Sequence, residues 1–354
     1  MSITLNAGNL FDESYLDTVI KWNEEFHNTV QVTSLFGSVA GLTPTARSAD
    51  RLPYRSWAFL DSYIAKSRKA NIHIRYTLNA SCLGSTQDFK ELWDHKLKED
   101  CQELHNIGVD QWTVTSPLLL ELLREMFPED LIEVSTICEV STPEDLARWK
   151  ALGANAVCIS TSINRDFNIL KLLPKVPDIE LSLLSNESCL FRCPYRRDCY
   201  NSSSHDSGRS EELFGFYPFR RCTEVRLASP TEWLKSRLIL PQWMKVYQEQ
   251  TGISNFKIAY RTHPKEVALP MLRWYMEQDF NGNLLELWPT IAHLGSTVEP
   301  KKTTYIPTKL LDDLGFLDHF ITSDVSCSSL ECSRCGYCNR IYNQMTKIMS
   351  TARK

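Results

Sequence analysis

The sequence has no run approaching the roughly 18 apolar residues of a membrane span, and its opening, MSITLNAGNLFDESYLDTV, has neither the basic nor the apolar region of a secretory signal. These absences set the expectation of a cytoplasmic protein without a membrane partner. There is little excess charge: 39 lysines and arginines stand against 43 aspartates and glutamates, for a formal net charge of -4. That balance gives no global attraction to nucleic acid or anionic lipid, so any such contact needs a local basic patch. No Gly-x-Gly-x-x-Gly or phosphate loop is present, which leaves nucleotide cofactors unsupported. Nor is there a Gly-x-Ser-x-Gly elbow or a His-Glu-x-x-His helix to supply a protease nucleophile or a zinc-bound water. No internal repeat or low-complexity tract occurs, and SSSHDSGRSEE at 202–212 reads as a polar loop.

What the sequence does have is cysteine, 12 in all. In reducing cytosol clustered cysteines serve as metal ligands or catalytic groups rather than disulfides. Eight fall into two groups, Cys189, Cys193, Cys199 and Cys222, then Cys327, Cys332, Cys335 and Cys338. Of the others, Cys101 lies on an apolar helix face and Cys158 in an apolar strand, so both read as core; Cys82 and Cys138, just past strand ends, read as structural.

The 354 residues, 43% of them hydrophobic, suffice for one large core with an appendage. Short apolar runs near 3–7, 30–36, 71–79, 110–115, 131–136, 155–160, 178–184 and 255–260 alternate with segments of helical period. Phe89, Leu92, Trp93, Leu97, Cys101, Leu104 and Ile107 recur at helical steps before Gly108. Thr142 caps a helix that opens on Pro143, Glu144 and Asp145 and stops at Gly153. Eight such units predict a TIM-like (β/α)8 barrel, regular or distorted, over 1–280, with an excursion at about 185–252 and a C-terminal extension over 281–354. The residues between strands seven and eight far outnumber an ordinary βα loop, and they leave the barrel from its functional face.

The first cysteine group lies in that excursion. Four thiolates hold a tetrahedral zinc or a 4Fe-4S cluster; one loose trio with a distant fourth favours iron-sulfur over paired zinc knuckles. Arg192, Arg196, Arg197, Arg220, Arg221 and Arg226 flank the group, and arginine both relieves a cluster's negative charge and forks onto carboxylates. Arg192, Arg196, Arg197 and Arg221 are therefore candidate contacts to the cofactor or to an anionic small-molecule or peptide substrate. Glu187, just before Cys189, is a candidate proton acceptor, and Arg261 and His263, after strand eight, are candidate catalytic groups. Asn186 is a candidate hydrogen-bond donor, and His73 reads as a packed histidine. The second group, at gaps of four, two and two, takes either a second 4Fe-4S cluster or zinc. Ahead of it, Tyr305 to Phe320 reads as a short helix and strand beside the barrel.

The stretches NESCLFRCPYRRDCY, FRRC, GISNFKIAYR and IGVDQWTVTSPLLLELLRE, with IEVSTICEVSTPEDLARWKALGANAVCIS, resemble the collagenase-like peptidases of uncharacterised catalytic type, the U-32 family, over roughly 1–280. The likeness is greatest to its oxygen-independent hydroxylation proteins. It implies a 4Fe-4S cluster on Cys189, Cys193, Cys199 and Cys222, prephenate as oxygen donor, and a heteromeric partner of the same family. The family's peptidase-type signature after strand seven is absent, and Tyr260 stands in place of a usual glycine, putting bulk at the barrel mouth. Oxygen-independent hydroxylation or a related oxidative step is the leading expectation; a peptidase, or a zinc-stabilised binding protein, is the alternative. The acidic balance disfavours long RNA, while the arginines keep an RNA base among the candidate substrates.

Overall fold

The computed structural model describes residues 2–42, 44–187, 189–205, 217–288, 304–323, 326–327 and 331–351, with backbone alone for 217–220. All eight expected strands form: β1 Ile3–Gly8, β2 Val30–Gly37, β3 His73–Leu78, β4 Gln111–Val114, β5 Leu131–Val134, β6 Ala156–Ile159, β7 Glu180–Leu184 and β8 Asn255–Ile258. They pair in parallel, each with its sequence neighbour, and β8 closes on β1. Each strand is followed by helix, so the architecture is a (β/α)8 barrel. One irregularity distorts it, a register shift between Leu5 and Asn6 where β1 meets β2.

The helices start where side chains satisfy their first amides. Asp12 caps α1 (Glu13–Glu25), Ser56 caps α2 (Trp57–Lys69) and Ser85 caps α3 (Thr86–Leu92). The expected long helix ending at Gly108 is instead three pieces, because a π-helical turn, Trp93–Leu97, separates α3 from α4 (Lys98–Asn106). The turn keeps the apolar face inward: Trp93, Leu97, Cys101 and Leu104 are all buried. Ser116 caps α5 (Pro117–Met126), and Thr142 with Asp145 forms a reciprocal capping box on α6 (Pro143–Ala151). Thr142→Ala should lower stability by about 1 kcal/mol, read as a fall in the urea midpoint without a change in slope.

Beyond β6 come the short α7 (Phe167–Leu170) and, after β7, the excursion: α8 (Arg196–His205), α9 (Tyr217–Ala228), α10 (Thr231–Lys235) and α11 (Met244–Thr251). Residues 202–205, expected in a polar loop, are the last turn of α8, and 206–212 lie outside the described residues. After β8, α12 (Lys265–Glu277) leads to the extension. There the structure corrects one expectation: no strand lies among the described residues of 305–320, only the bridge of Asn283 to Pro307 and two helices, Thr308–Asp313 and Asp318–Thr322. Asp312 accepts from Trp243 and Gln242, and Arg165 lies over Phe316 and Phe320, so side chains rather than a sheet edge hold this segment. Its Leu311 and Phe316, with Met345 further along the extension, join the barrel's own apolar cluster. Among the described residues no helix is long and apolar enough to cross a membrane.

The barrel interior is charged at mid-height. Glu133 on β5 is fully buried, and Arg75 on β3 and Lys257 on β8 both pair with it; Arg75 Nη1 stands 2.8 Å from its Oε1. Thr113 donates to the same carboxylate at 2.8 Å, and Gln111 and Glu180 take the remaining Arg75 donors at 3.0 and 3.1 Å. Those cations hold Glu133 ionised: burial raises its carboxyl, but Lys257 and Arg75 outweigh it and bring the pKa down to about 2.

Candidate functional site

Strand β7 delivers a run of polar groups to the C-terminal mouth. Asn186 is not available to a substrate, since its side chain donates to Ala259 O at 3.1 Å and accepts from Ala259 N at 2.7 Å, tying the ends of β7 and β8. The next residue, Glu187, is held by three donors. Arg196 Nη1 lies 2.7 Å and Tyr200 Oη 2.9 Å from its Oε1, and Thr161 donates to Oε2. Burial raises the Glu187 carboxyl, yet the Arg196 charge and these hydrogen bonds more than offset it and hold it below the usual carboxylate value. Arg196 and Tyr200 are one helical turn apart on α8, so a single element supplies two of the three donors. Arg196 also reaches Glu139 at 3.2 Å from the end of β5.

Glu187, Thr161, Arg196 and Glu139 line a cavity of about 220 Å³, with Cys189, Cys193, Arg192, Arg197 and Arg237 also in its wall. Arg192 has a left-handed backbone, φ 51°, just before Cys193. Two guanidinium nitrogens, Arg196 Nη2 and Arg237 Nε, are buried with no hydrogen-bond partner among the described residues. Cys222 on α9 is approached by Arg226 Nη1 at 3.7 Å, and Arg226 itself lies over Trp233 and Trp288. Burial raises the Cys199 thiol to about 12, with Cys193 and Cys222 as the next contributors, and raises Cys189 to about 12, with Cys199 among its charged neighbours. Cys189 and Cys193 thus share the cavity wall, and Cys199 and Cys222, on α8 and α9, act on them electrostatically.

Neighbours are not yet ligands. Among the described residues no three Cys, His, Asp or Glu side chains stand close enough to hold a metal ion as placed. The donor chemistry nevertheless fits a cluster, since the sulfurs are soft and the surrounding guanidiniums offset negative charge.

The remaining sequence candidates separate clearly. Arg261 leaves the end of β8 and donates across the mouth to Thr77, with Thr45 at 3.3 Å. Burial pushes its pKa well below the ordinary arginine value, Arg47 adds to this, and no carboxylate pairs with either among the described residues. Gly8 makes the approach of this segment feasible, because a Cβ there would sit 2.8 Å from Arg261 N. Tyr260 does not fill the mouth as expected; it is buried against α1, its hydroxyl 2.8 Å from that of Tyr15. His263 lies on the turn after β8, its amide donating to Tyr260 O at 2.8 Å. Arg221 is not among the residues of that cavity wall: its side chain is 51% exposed and pairs with Glu224 at 3.2 Å. Arg220's side chain lies outside the described residues. His73 is not packed in the core but pairs with Asp110 at 3.0 Å with its side chain 42% exposed, while Cys101 and Cys158 are buried as expected. Cys327, Cys332, Cys335 and Cys338 line a second, smaller cavity.

Thr161 falls in the polar end of strand six, but Arg47 and Arg237 carry no local signal of a site role, and Tyr200 only its i, i+4 spacing from Arg196.

Residues 55–212 match the family model described as Peptidase family U32. An uncharacterized protease of Methanocaldococcus jannaschii is 27% identical over 282 residues, covering 80% of this chain and 80% of its own. The solved structure of a U32 peptidase superposes with a TM-score of 0.50 at 16% identity, covering 73% of this chain and 92% of that one. The last likeness bears on the fold alone, and agrees with the barrel. For the chemistry, these names favour the peptidase alternative over the hydroxylase expectation, and none of them speaks of iron or of oxidation.

Proposed function

We propose that this chain, which carries a U32 peptidase domain over residues 55–212, is an enzyme whose Cys189, Cys193, Cys199 and Cys222 hold a 4Fe-4S cluster beside an anion-binding cavity, and that it performs an oxygen-independent hydroxylation or related oxidative step. One observation carries the reading: Arg196 Nη2 and Arg237 Nε are buried without partners in residues that line the same cavity as Cys189 and Cys193. A buried donor left unpaired costs about 1–3 kcal/mol, and with four arginines, Arg192, Arg196, Arg197 and Arg237, against two glutamates in the wall, the balance supports an anion as its occupant. When bound, the cluster supplies a Lewis-acid iron or one-electron exchange.

The chain's own residues do the rest. Arg192 and Arg197 orient a carboxylate, Arg196 keeps Glu187 ionised, and Glu187 accepts a proton from the substrate. Arg261 presents a further cation across the mouth, and His263 offers a second acid or base beside it. Prephenate, a dicarboxylate, matches the sign of this wall and is the oxygen donor that the family resemblance implies. A second chain of the same family fits the reading as a partner.

The peptidase reading rests on the names of the family and of the relative. Under it Glu187 serves as the base for an attacking water and the cysteines staple the excursion. The two readings part in one experiment. Purified without oxygen, the chain should hold about four irons and about four acid-labile sulfides, lost in Cys193→Ser. Peptide hydrolysis by an iron-free chain, unchanged in Cys193→Ser, would establish the peptidase instead.

A further inference from the structure

We infer that Cys327, Cys332, Cys335 and Cys338 form a tetrathiolate site for one divalent ion of the zinc type, distinct from the cysteine site at the barrel mouth. All four thiols line a single cavity of about 30 Å³. Room for one water takes about 10–15 Å³, so the space suits a single ion. A 4Fe-4S core, with four irons and four bulky sulfides, would need the four thiols to move apart to make more room.

The backbone supports the same conclusion. Cys332–Cys335 is a single helical turn that ends on Gly336, whose φ of 62° lies in the left-handed region, with Gly336 N donating to Cys332 O at 2.9 Å. The chain then reverses into the helix Tyr337–Thr351, which carries Cys338 in its first turn. A tight turn bearing two cysteines followed by a third on the next helix brings sulfurs from adjoining segments to one side, as a structural zinc site requires. No carboxylate is among the lining residues, so hard cations such as magnesium or calcium find no suitable donors.

Charge is also provided for. Four thiols lose four protons on taking up a divalent ion, leaving a site of net charge -2. Arg237 and Lys235 line this cavity as cations, Lys235 also pairing with Glu232 at 2.5 Å. The sulfurs move inward on binding by side-chain rotation, and Cys338 gives up its weak 4.0 Å contact to Leu234 O.

The site has a structural consequence for the first. Phe191 and Arg237 line both cavities, with the Arg237 guanidinium 3.6 Å from the Phe191 ring centroid. An ion on the C-terminal thiols therefore fixes a wall of the barrel-mouth cavity from behind.

The test is elemental analysis of the full chain together with cobalt(II) spectroscopy. Wild type should hold about one zinc, falling at least about tenfold in Cys335→Ser and in Cys338→Ser, with iron and sulfide unchanged. Cobalt(II) in the wild type should show the intense visible bands of tetrahedral thiolate ligation. Cys335→His keeps a fourth ligand, so it should retain the ion and shift those bands to higher energy. Loss of iron and sulfide from the serine variants would overturn the proposal in favour of a second cluster, and unchanged zinc in both would overturn it outright. Neither result depends on whether Cys193→Ser loses iron.

Discussion

Glu133→Ala is expected to destabilise the barrel by about 3–5 kcal/mol, enough to leave much of the chain insoluble. The substitution leaves Arg75, 2% exposed, and Lys257 buried at mid-barrel without their shared counter-ion, while Glu180 on the β7 edge is the only other carboxylate bound to Arg75 among the described residues. The cost comes from stranding two cations rather than from a net gain of the intact network, because desolvation offsets most of the attraction within a buried ion group. A triple replacement, Arg75→Met with Glu133→Leu and Lys257→Met, should therefore recover most of the lost stability. Denaturant midpoints of the single and triple variants decide the matter; equal midpoints for wild type and Glu133→Ala would refute it.

The same carboxylate sets an acid limit. Its pKa in the folded chain is about 2, below the ordinary 4.5, so its contribution is complete above about pH 4.5 and is lost as pH falls toward 2. Wild type should lose stability across that window more steeply than Glu133→Gln, which has no proton to take up there.

The second large effect concerns activity. If the proposed hydroxylase reading holds, Glu187→Gln should reduce the anaerobic consumption of prephenate by about 10²–10⁴-fold while iron and sulfide stay at wild-type levels, as expected for loss of a proton acceptor. The folded pKa of Glu187 is depressed against the pull of burial by Arg196 and the hydrogen bonds from Thr161 and Tyr200. The ionised form therefore persists at neutral pH, and activity should fall only on the acid side. Arg196→Met removes the main opposing charge, so burial then prevails and the acid limb should move to higher pH. Wild-type turnover in Glu187→Gln with an intact cluster would remove Glu187 from the mechanism.

Much of the fold was legible because its signals are local. Thr142, Pro143 and Asp145 announce a helix start within four residues, and each of the eight apolar runs became a strand within a few residues of its expected place. Where the sequence reading failed, the deciding contact was distant. The expected strand in 305–320 is replaced by helices because Asp312 and Phe316 find Trp243. Tyr260 turns away from the mouth because Tyr15 of α1 receives its hydroxyl.

The amino-acid order by itself determined the βα alternation, the burial of Cys101 and Cys158, and the two cysteine groups, since periodicity, capping and spacing are properties of neighbours along the chain. Only the tertiary structure decided which side chains share a cavity. Glu187 meets Thr161 from 26 residues away, Arg237 joins both cysteine cavities from α10's end, and Arg75, Glu133 and Lys257 meet inside the barrel from three separate strands. Barrel closure imposes those meetings, because it brings strands far apart in sequence to face one axis, and no local pattern encodes which inward residues will then be opposite one another.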